Sequence, residues 1–353
     1  MKRFDETSIK KVGIFRALYL GDMLCIIPMV RAMRHAYPHA HITLIGLRWQ
    51  KDFVKRFSHY FDDFMEFPGW PGLPEQQPDE NSIADFLTRV RTYEFDLVLQ
   101  MQGNGIITNS MCLSWGAKQV AGLRRSEQHY HDDTLFPVSE DTDHEVLRFL
   151  KLADALAIPH QGAELEFPFL EEEIQNYQSI VNTLQLHNKY ICIHAGARDV
   201  RRRWPVDNFA FVANQLALKG YKLVLTGSMD EEELLKDLQN KIDAPVVNIV
   251  DRLGQVPLGE LGLILNNCSM LLSNDTGVSH VASALKVPSV VVFSPFSDMQ
   301  RWAPLQTSLH KIILFEQAKD PEFVLYTVLD QLEKIQTSNT SNEFSSQPLG
   351  LAR

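Results

Sequence analysis

The sequence predicts an α/β protein built from two doubly wound, parallel-sheet domains in tandem. Three observations carry this: apolar, β-branched runs alternate with helical periodicity, glycines close several of those runs, and periodicity lapses near residue 165 before the alternation restarts. A chain of 353 residues exceeds one ordinary core and suits two domains of common size.

In the first half, Val12-Gly13-Ile14-Phe15 reads as a strand, and the amphipathic stretch 23–36, stopped by Tyr37-Pro38, reads as a helix. Residues 42–46 form a second strand and 96–100 a third, which runs into Gly103-Asn104-Gly105. Helical spacing returns over 144–156 and ends at Ile158-Pro159. Prolines and glycine fill 162–169 without periodicity, so the expected domains are 1–165 and 166–335. After a helix over 171–186, the second series sets strands at 190–194, 222–227, 246–249, 270–273 and 289–293. Between them lie helices at 208–219, 231–240 and 278–285. A closing helix is expected over 321–335, and the tail 336–353, rich in Ser, Thr and Asn, is expected to be disordered.

Hydrophobic residues make up 45% and charged residues 22%, the composition of a soluble globular protein. A net charge of −10 excludes a broad nucleic-acid face, which needs lysine and arginine in excess, so any anion site must be local. The four cysteines, Cys25, Cys112, Cys192 and Cys268, lie far apart in apolar segments and form no CxxC pair; they read as reduced core thiols. Residues 1–11 lack the apolar centre of a signal peptide, and no apolar run reaches the ~18–20 residues of a membrane span. The expected location is therefore the cytoplasm.

In open parallel sheets ligands gather at the carboxyl ends of strands, where helix amides favour anions. Ser273-Asn274-Asp275-Thr276-Gly277-Val278-Ser279-His280 sits at such a place. Gly277 would let a phosphate approach the backbone, Thr276 could cap the helix or donate its hydroxyl, and His280 lies about one turn on. A diphosphate cradle and plain helix capping by Asp275 or Thr276 both fit these residues. His194-Ala195-Gly196-Ala197 followed by Arg201-Arg202-Arg203-Trp204-Pro205 places a small-residue turn before three arginines, suited to a phosphate or to a solvated basic loop. After Thr226-Gly227, a carboxylate among Asp230 to Glu233 could accept ribose hydroxyls, or simply complement a helix dipole. Asp22, in Leu20-Gly21-Asp22-Met23, reads either as an N-cap or, if the regular helix starts near Ile27 as Pro28 favours, as an upstream carboxylate able to act as a general base. There is no GxGxxG after the first strand, no GxxxxGK[ST] and no HExxH, so a standard dinucleotide fold, a P-loop kinase and a catalytic metal are poorly supported.

Taken in order, these pieces resemble glycosyltransferase family 9, the lipopolysaccharide heptosyltransferase family. The matching residues are Gly21-Asp22 with Pro28, Gln102-Gly103, His194 to Ala197 leading to Arg203-Trp204-Pro205, Leu225-Thr226-Gly227 with Glu231, Asn274 to Gly277 with Ser279-His280, and Arg301-Trp302 with Pro304. The resemblance implies a GT-B architecture, two Rossmann-like domains facing each other across a cleft, with an acceptor-binding N-terminal and a donor-binding C-terminal domain. It implies inverting, metal-independent transfer of a sugar, most commonly heptose from ADP-heptose, to a hydroxyl of a lipopolysaccharide core or related glycan, and no cofactor beyond the donor. Asp22 then corresponds to the base. Ala197, Arg202, Arg203, Thr226, Glu231, Asp275, Thr276, Gly277 and His280 correspond to the donor site, with Arg202 in place of a more usual lysine. Gln102, Asn104 and Arg124 are the acceptor candidates. A glycolipid acceptor implies peripheral contact with the inner membrane leaflet, and no nucleic acid partner is expected. The alternatives are a GT-B enzyme acting on another nucleotide sugar, such as a UDP-sugar epimerase, and a non-catalytic nucleotide-sugar-binding relative.

Overall fold

The computed structural model describes residues 2–186 and 189–345. The chain divides into two units, Met1–Pro168 with Gln300–Trp302, and Phe169–Met299 with Ala303–Arg353. The first unit carries five parallel strands, β1 (Lys11–Phe15), β2 (His41–Gly46), β3 (Asp63–Glu66), β4 (Leu97–Gln100) and β5 (Gln119–Gly122), in the order β3-β2-β1-β4-β5. The second carries six, β6 (Tyr190–His194), β7 (Lys222–Leu225), β8 (Val246–Asn248), β9 (Met270–Asn274), β10 (Ser289–Phe293) and β11 (His310–Leu314), in the order β11-β10-β9-β6-β7-β8. Helices cover both faces of a doubly wound sheet, so its central strands can be apolar at every position. Ile191, Cys192 and Ile193 of β6 and Val290, Val291 and Val292 of β10 are fully buried. An edge-to-face cluster of Phe15, Phe67, Phe86 and Trp115 packs the core of the first unit.

Both sheets reverse strand order beside their first strand. In the first unit the chain runs outward from β1 to β3, then returns to β4 on the other side of β1; in the second it runs from β6 to β8 and returns to β9. Connections leaving the carboxyl ends of β1 and β4, and of β6 and β9, therefore diverge. Each divergence leaves a crevice where side chains from two loops converge.

Of the elements the sequence names, two depart from the expected reading. Where one helix was expected over 23–36, there are two, Leu20–Leu24 and Ile27–Ala36. Pro28 falls in the first turn of the second, where its missing N–H costs nothing, and its ring could not follow an unbroken turn from Leu24. The closing helix, Pro321–Ser345, continues past residue 335 into the stretch expected to be disordered; residues 346–353 of that stretch lie outside the described residues. No described helix is long and apolar enough to cross a membrane.

Candidate functional site

At the crevice of the second unit, β9 ends in Asn274 and the helix Gly277–Ala284 begins three residues later. Thr276 is its N-cap residue, yet the Thr276 side chain makes no capping hydrogen bond. Its carbonyl instead accepts from the Ser279 hydroxyl at 2.7 Å. Asp275 is 2% exposed, and its carboxylate faces the Arg202 guanidinium at 3.5 Å. Plain capping thus does not describe this turn: neither candidate side chain caps the helix, whose first amides have no acceptor within the helix itself. His280 is buried one turn on.

The arginine loop is held to this turn by one side chain. Asn274, fully buried, accepts from the Trp204 amide at 2.9 Å and donates to the carbonyls of Ala195 at 2.8 Å and Gly196 at 3.3 Å. The carboxamide fixes both ends of the loop at once, and Trp204 is further anchored by its indole N–H to Ala318 O at 2.9 Å. The three arginines separate in this frame. Arg201 is bidentate to Asp199 and stacks on Phe296, its cation 4.6 Å from the ring centroid. Arg203 donates to Ala197 O at 2.8 Å, while Arg202 points to the Asp275 turn.

Glu231 closes the same crevice from the turn after β7. It is not a bare first-turn acid: Oε2 accepts the Ser228 amide at 3.0 Å and hydroxyl at 3.3 Å in a capping box. Gly196 makes room for its carboxylate; a Cβ there would lie 2.5 Å from Oε2 and closer still to Oε1. His194, at the end of β6, meets the Thr226 hydroxyl at 3.1 Å. Burial holds its imidazole below the ordinary range, with Glu231 opposing and Arg203 reinforcing that shift.

The crevice of the first unit is charged. Arg16, the residue after β1, is fully buried. It donates to Asp22 O at 3.0 Å, Asp22 Oδ1 at 3.1 Å, Glu145 Oε1 at 2.8 Å and the Met101 carbonyl, and its cation lies 4.7 Å from the Phe149 centroid. Asp22 sits within the short helix Leu20–Leu24, whose N-cap is Tyr19, so the capping reading of Asp22 fails. Its side chain is 23% exposed and reachable by a substrate. Glu145 also binds Arg148 at 3.2 Å and Arg301 at 2.7 Å. Burial alone would raise its pKa, but Arg16, Arg148 and Arg301 outweigh that and hold it at about 2.

The acceptor candidates differ in kind. Gln102, from the loop after β4, is buried, and its Oε1 accepts the Ala17 amide at 2.5 Å. Asn104 is half-buried, with Oδ1 accepting the Ile106 amide at 3.1 Å, between Gly103 (φ +64°) and Gly105 (φ +83°). Both φ values favour glycine and turn the loop sharply. Arg124 spends its guanidinium on its own loop, donating to the carbonyls of Arg125, Ser126 and Gln128. Among the described residues no group of three His, Cys, Asp or Glu side chains could hold a metal ion.

The sequence profile of glycosyltransferase family 9 (heptosyltransferase) matches residues 83–332. The chain belongs to glycosyltransferase family 9. This family 9 enzyme is 22% identical over 305 residues to lipopolysaccharide heptosyltransferase 3 of Escherichia coli K12, covering 81% of this chain and 83% of that protein. Its fold matches the crystal structure of a family 9 glycosyltransferase from Veillonella parvula DSM 2008 with TM-score 0.76 and 20% identity, over 94% of this chain and 99% of that one. It matches E. coli ADP-heptose LPS heptosyltransferase II with TM-score 0.70 and 21% identity, over 93% and 100%. The fold class is GT-B and the protein is a glycosyltransferase.

Three residues of this transferase carry more than the sequence reading gave them. Asn274 was read only as part of a motif, and Arg16 and Glu145 were not singled out. A polar residue at the carboxyl end of a strand with an apolar run was the available signal, Arg16 just after Val12 to Phe15 and Asn274 closing the strand that begins Met270 to Leu272. Glu145 carried none, because an acid in a first helical turn is ordinary.

Proposed function

We propose that this enzyme transfers heptose from ADP-heptose to a hydroxyl of a lipopolysaccharide core or related glycan, with inversion and without a divalent metal. The observation that carries this reading is the Asp275-Thr276-Gly277 turn, with Arg202 set against it by the Asn274 staple. In the reading, the donor diphosphate lies on the helix amides of that turn and pairs with Arg202, and His280, Thr276 and Gly277 line it. Negative charge grows on the leaving diphosphate as the sugar becomes oxocarbenium-like, and a preorganised guanidinium with oriented amides stabilises it. Arg203 holds the loop at Ala197, Glu231 takes the ribose hydroxyls, and Thr226 orients His194 beneath it. Heptose as the sugar and ADP as the nucleotide are drawn from the names of the relatives.

Inversion needs a base on the acceptor side. Asp22 fills that role: its carboxylate is partly exposed, and Arg16 fixes its direction. Asn104 and Gln102 supply the acceptor loop, and Arg124 shapes the turn beside it. The first unit is thus the acceptor domain and the second the donor domain. The enzyme works in the cytoplasm, meeting a glycolipid acceptor peripherally at the inner leaflet. A panel of ADP-, UDP- and GDP-sugars, screened by calorimetry and by mass spectrometry of products with core oligosaccharides, tests this. The expected result is binding of ADP-sugars, transfer from ADP-heptose, and no loss with EDTA. Preference for a UDP-sugar would overturn the donor assignment.

A further inference from the structure

The Arg16–Glu145 pair is a feature that the transfer reading does not use. We infer that Glu145 and Arg16 are positioning residues that set both the direction and the charge of Asp22; this rests on the reading of Asp22 as the base. Arg16 grips Asp22 twice, by carbonyl at 3.0 Å and by carboxylate at 3.1 Å, so the turn and the side chain are fixed together. The same guanidinium nitrogen reaches Glu145 at 2.8 Å. When Asp22 accepts the acceptor proton it becomes neutral and its hold on Arg16 weakens. Glu145 keeps Arg16 in place through that step, ready for the next ionised Asp22.

Charge is the second part. Asp22 Oδ1 and Glu145 Oε1 share one nitrogen, so they lie within about 6 Å, close enough for each to feel the other's ionisation. Arg148 and Arg301 both pair with Glu145, which offsets part of their field at Asp22. Glu75, from the loop after β3, and the Cys25 thiol are near enough to interact electrostatically with Asp22. An uncompensated cluster of three guanidiniums would stabilise the carboxylate and weaken it as a base. Glu145 keeps the cluster near balance.

The test is the titration of Asp22, followed as its 13C-carboxyl resonance in aspartate-labelled full-length protein and assigned by its loss in Asp22→Asn. Glu145→Gln removes a negative charge and is expected to move the midpoint down by on the order of one pH unit. Arg301→Gln, at the 23%-exposed rim, removes a positive charge and should move it up by roughly half as much. It also keeps the test alive should Glu145→Gln fail to fold. Turnover of ADP-heptose should drop about tenfold or more in Glu145→Gln, in kcat and not in the KM for donor. Midpoints that stay put, or move the same way in both variants, overturn the inference. Loss of turnover in Asp22→Asn with unmoved midpoints removes this inference alone; wild-type turnover in Asp22→Asn removes the base reading and the inference with it.

Discussion

Gly196→Ala puts the donor reading under a sharp test, because one methyl group separates stability from binding. The added Cβ would lie 2.5 Å from Glu231 Oε2 and closer to Oε1, nearer than real Cβ atoms come to other heavy atoms. Glu231 must swing away, since Gly196 is held by Asn274 at its carbonyl. Leaving the capping box at Ser228 costs about 1 kcal/mol, a fall in Tm of about 2–4 °C for a domain of this size. Binding should suffer more. If Glu231 accepts ribose hydroxyls, a charge-assisted hydrogen bond worth about 1.5–3 kcal/mol disappears, which weakens ADP about ten- to hundred-fold. Isothermal calorimetry with ADP reads this, with Glu231→Ala and the double variant completing a cycle. The two substitutions act through one contact, so their losses should not add. Wild-type ADP affinity in Gly196→Ala, or additive losses in the double variant, would refute the reasoning.

Other expectations follow from the same geometry. Asn274→Ala orphans the Trp204 amide and the carbonyls of Ala195 and Gly196, all buried, and should cost about 2–4 kcal/mol in a denaturant melt while weakening ADP. Arg202→Ala leaves Asp275 without its cation and should weaken ADP about tenfold or more by calorimetry, whereas Arg201→Ala, already neutralised by Asp199 and mostly exposed, should stay within about twofold. Two buried groups contribute to the acid stability in separate windows. His310, held at about 4 by burial, is neutral when folded, so stability falls as pH drops from its unfolded value near 6.5 towards 4. Glu145, held at about 2, adds roughly 3 kcal/mol above its unfolded pKa near 4.5, and this is lost as pH falls from there to about 2. Chemical melts of His310→Gln and Glu145→Gln across pH 7 to 3 should each show a flatter decline in its own window.

Much of the fold was legible because the interior strands are buried on both faces and so carry unbroken apolar runs, as at Ile191 to Ile193 and Val290 to Phe293. The strands that escaped the reading, β3, β5 and β11, are all edges of their sheets. Each carries residues that interrupt an already short apolar run, Asp63 and Glu66 in β3, Gly122 in β5 and Lys311 in β11. The break between Leu24 and Ile27 was foreshadowed by Pro28, although periodicity ran on through it. In the site, residue types at strand ends revealed the Asp275 turn, the arginine loop and Asp22. They did not reveal pairing: which arginine meets Asp275, or that Asn274 joins two loops 70 residues apart in the chain, depends on the strand order, which the sequence does not spell out.

The central claim is that Asp22 is the base of a transferase whose donor sits in the other unit. Asp22→Asn keeps the shape of the side chain and removes its basicity, and nothing in the second unit should change. Transfer from ADP-heptose is expected to fall about 100-fold or more, with ADP affinity by calorimetry within about twofold of wild type. Transfer at the wild-type rate, or loss of ADP binding in parallel with activity, would contradict the account.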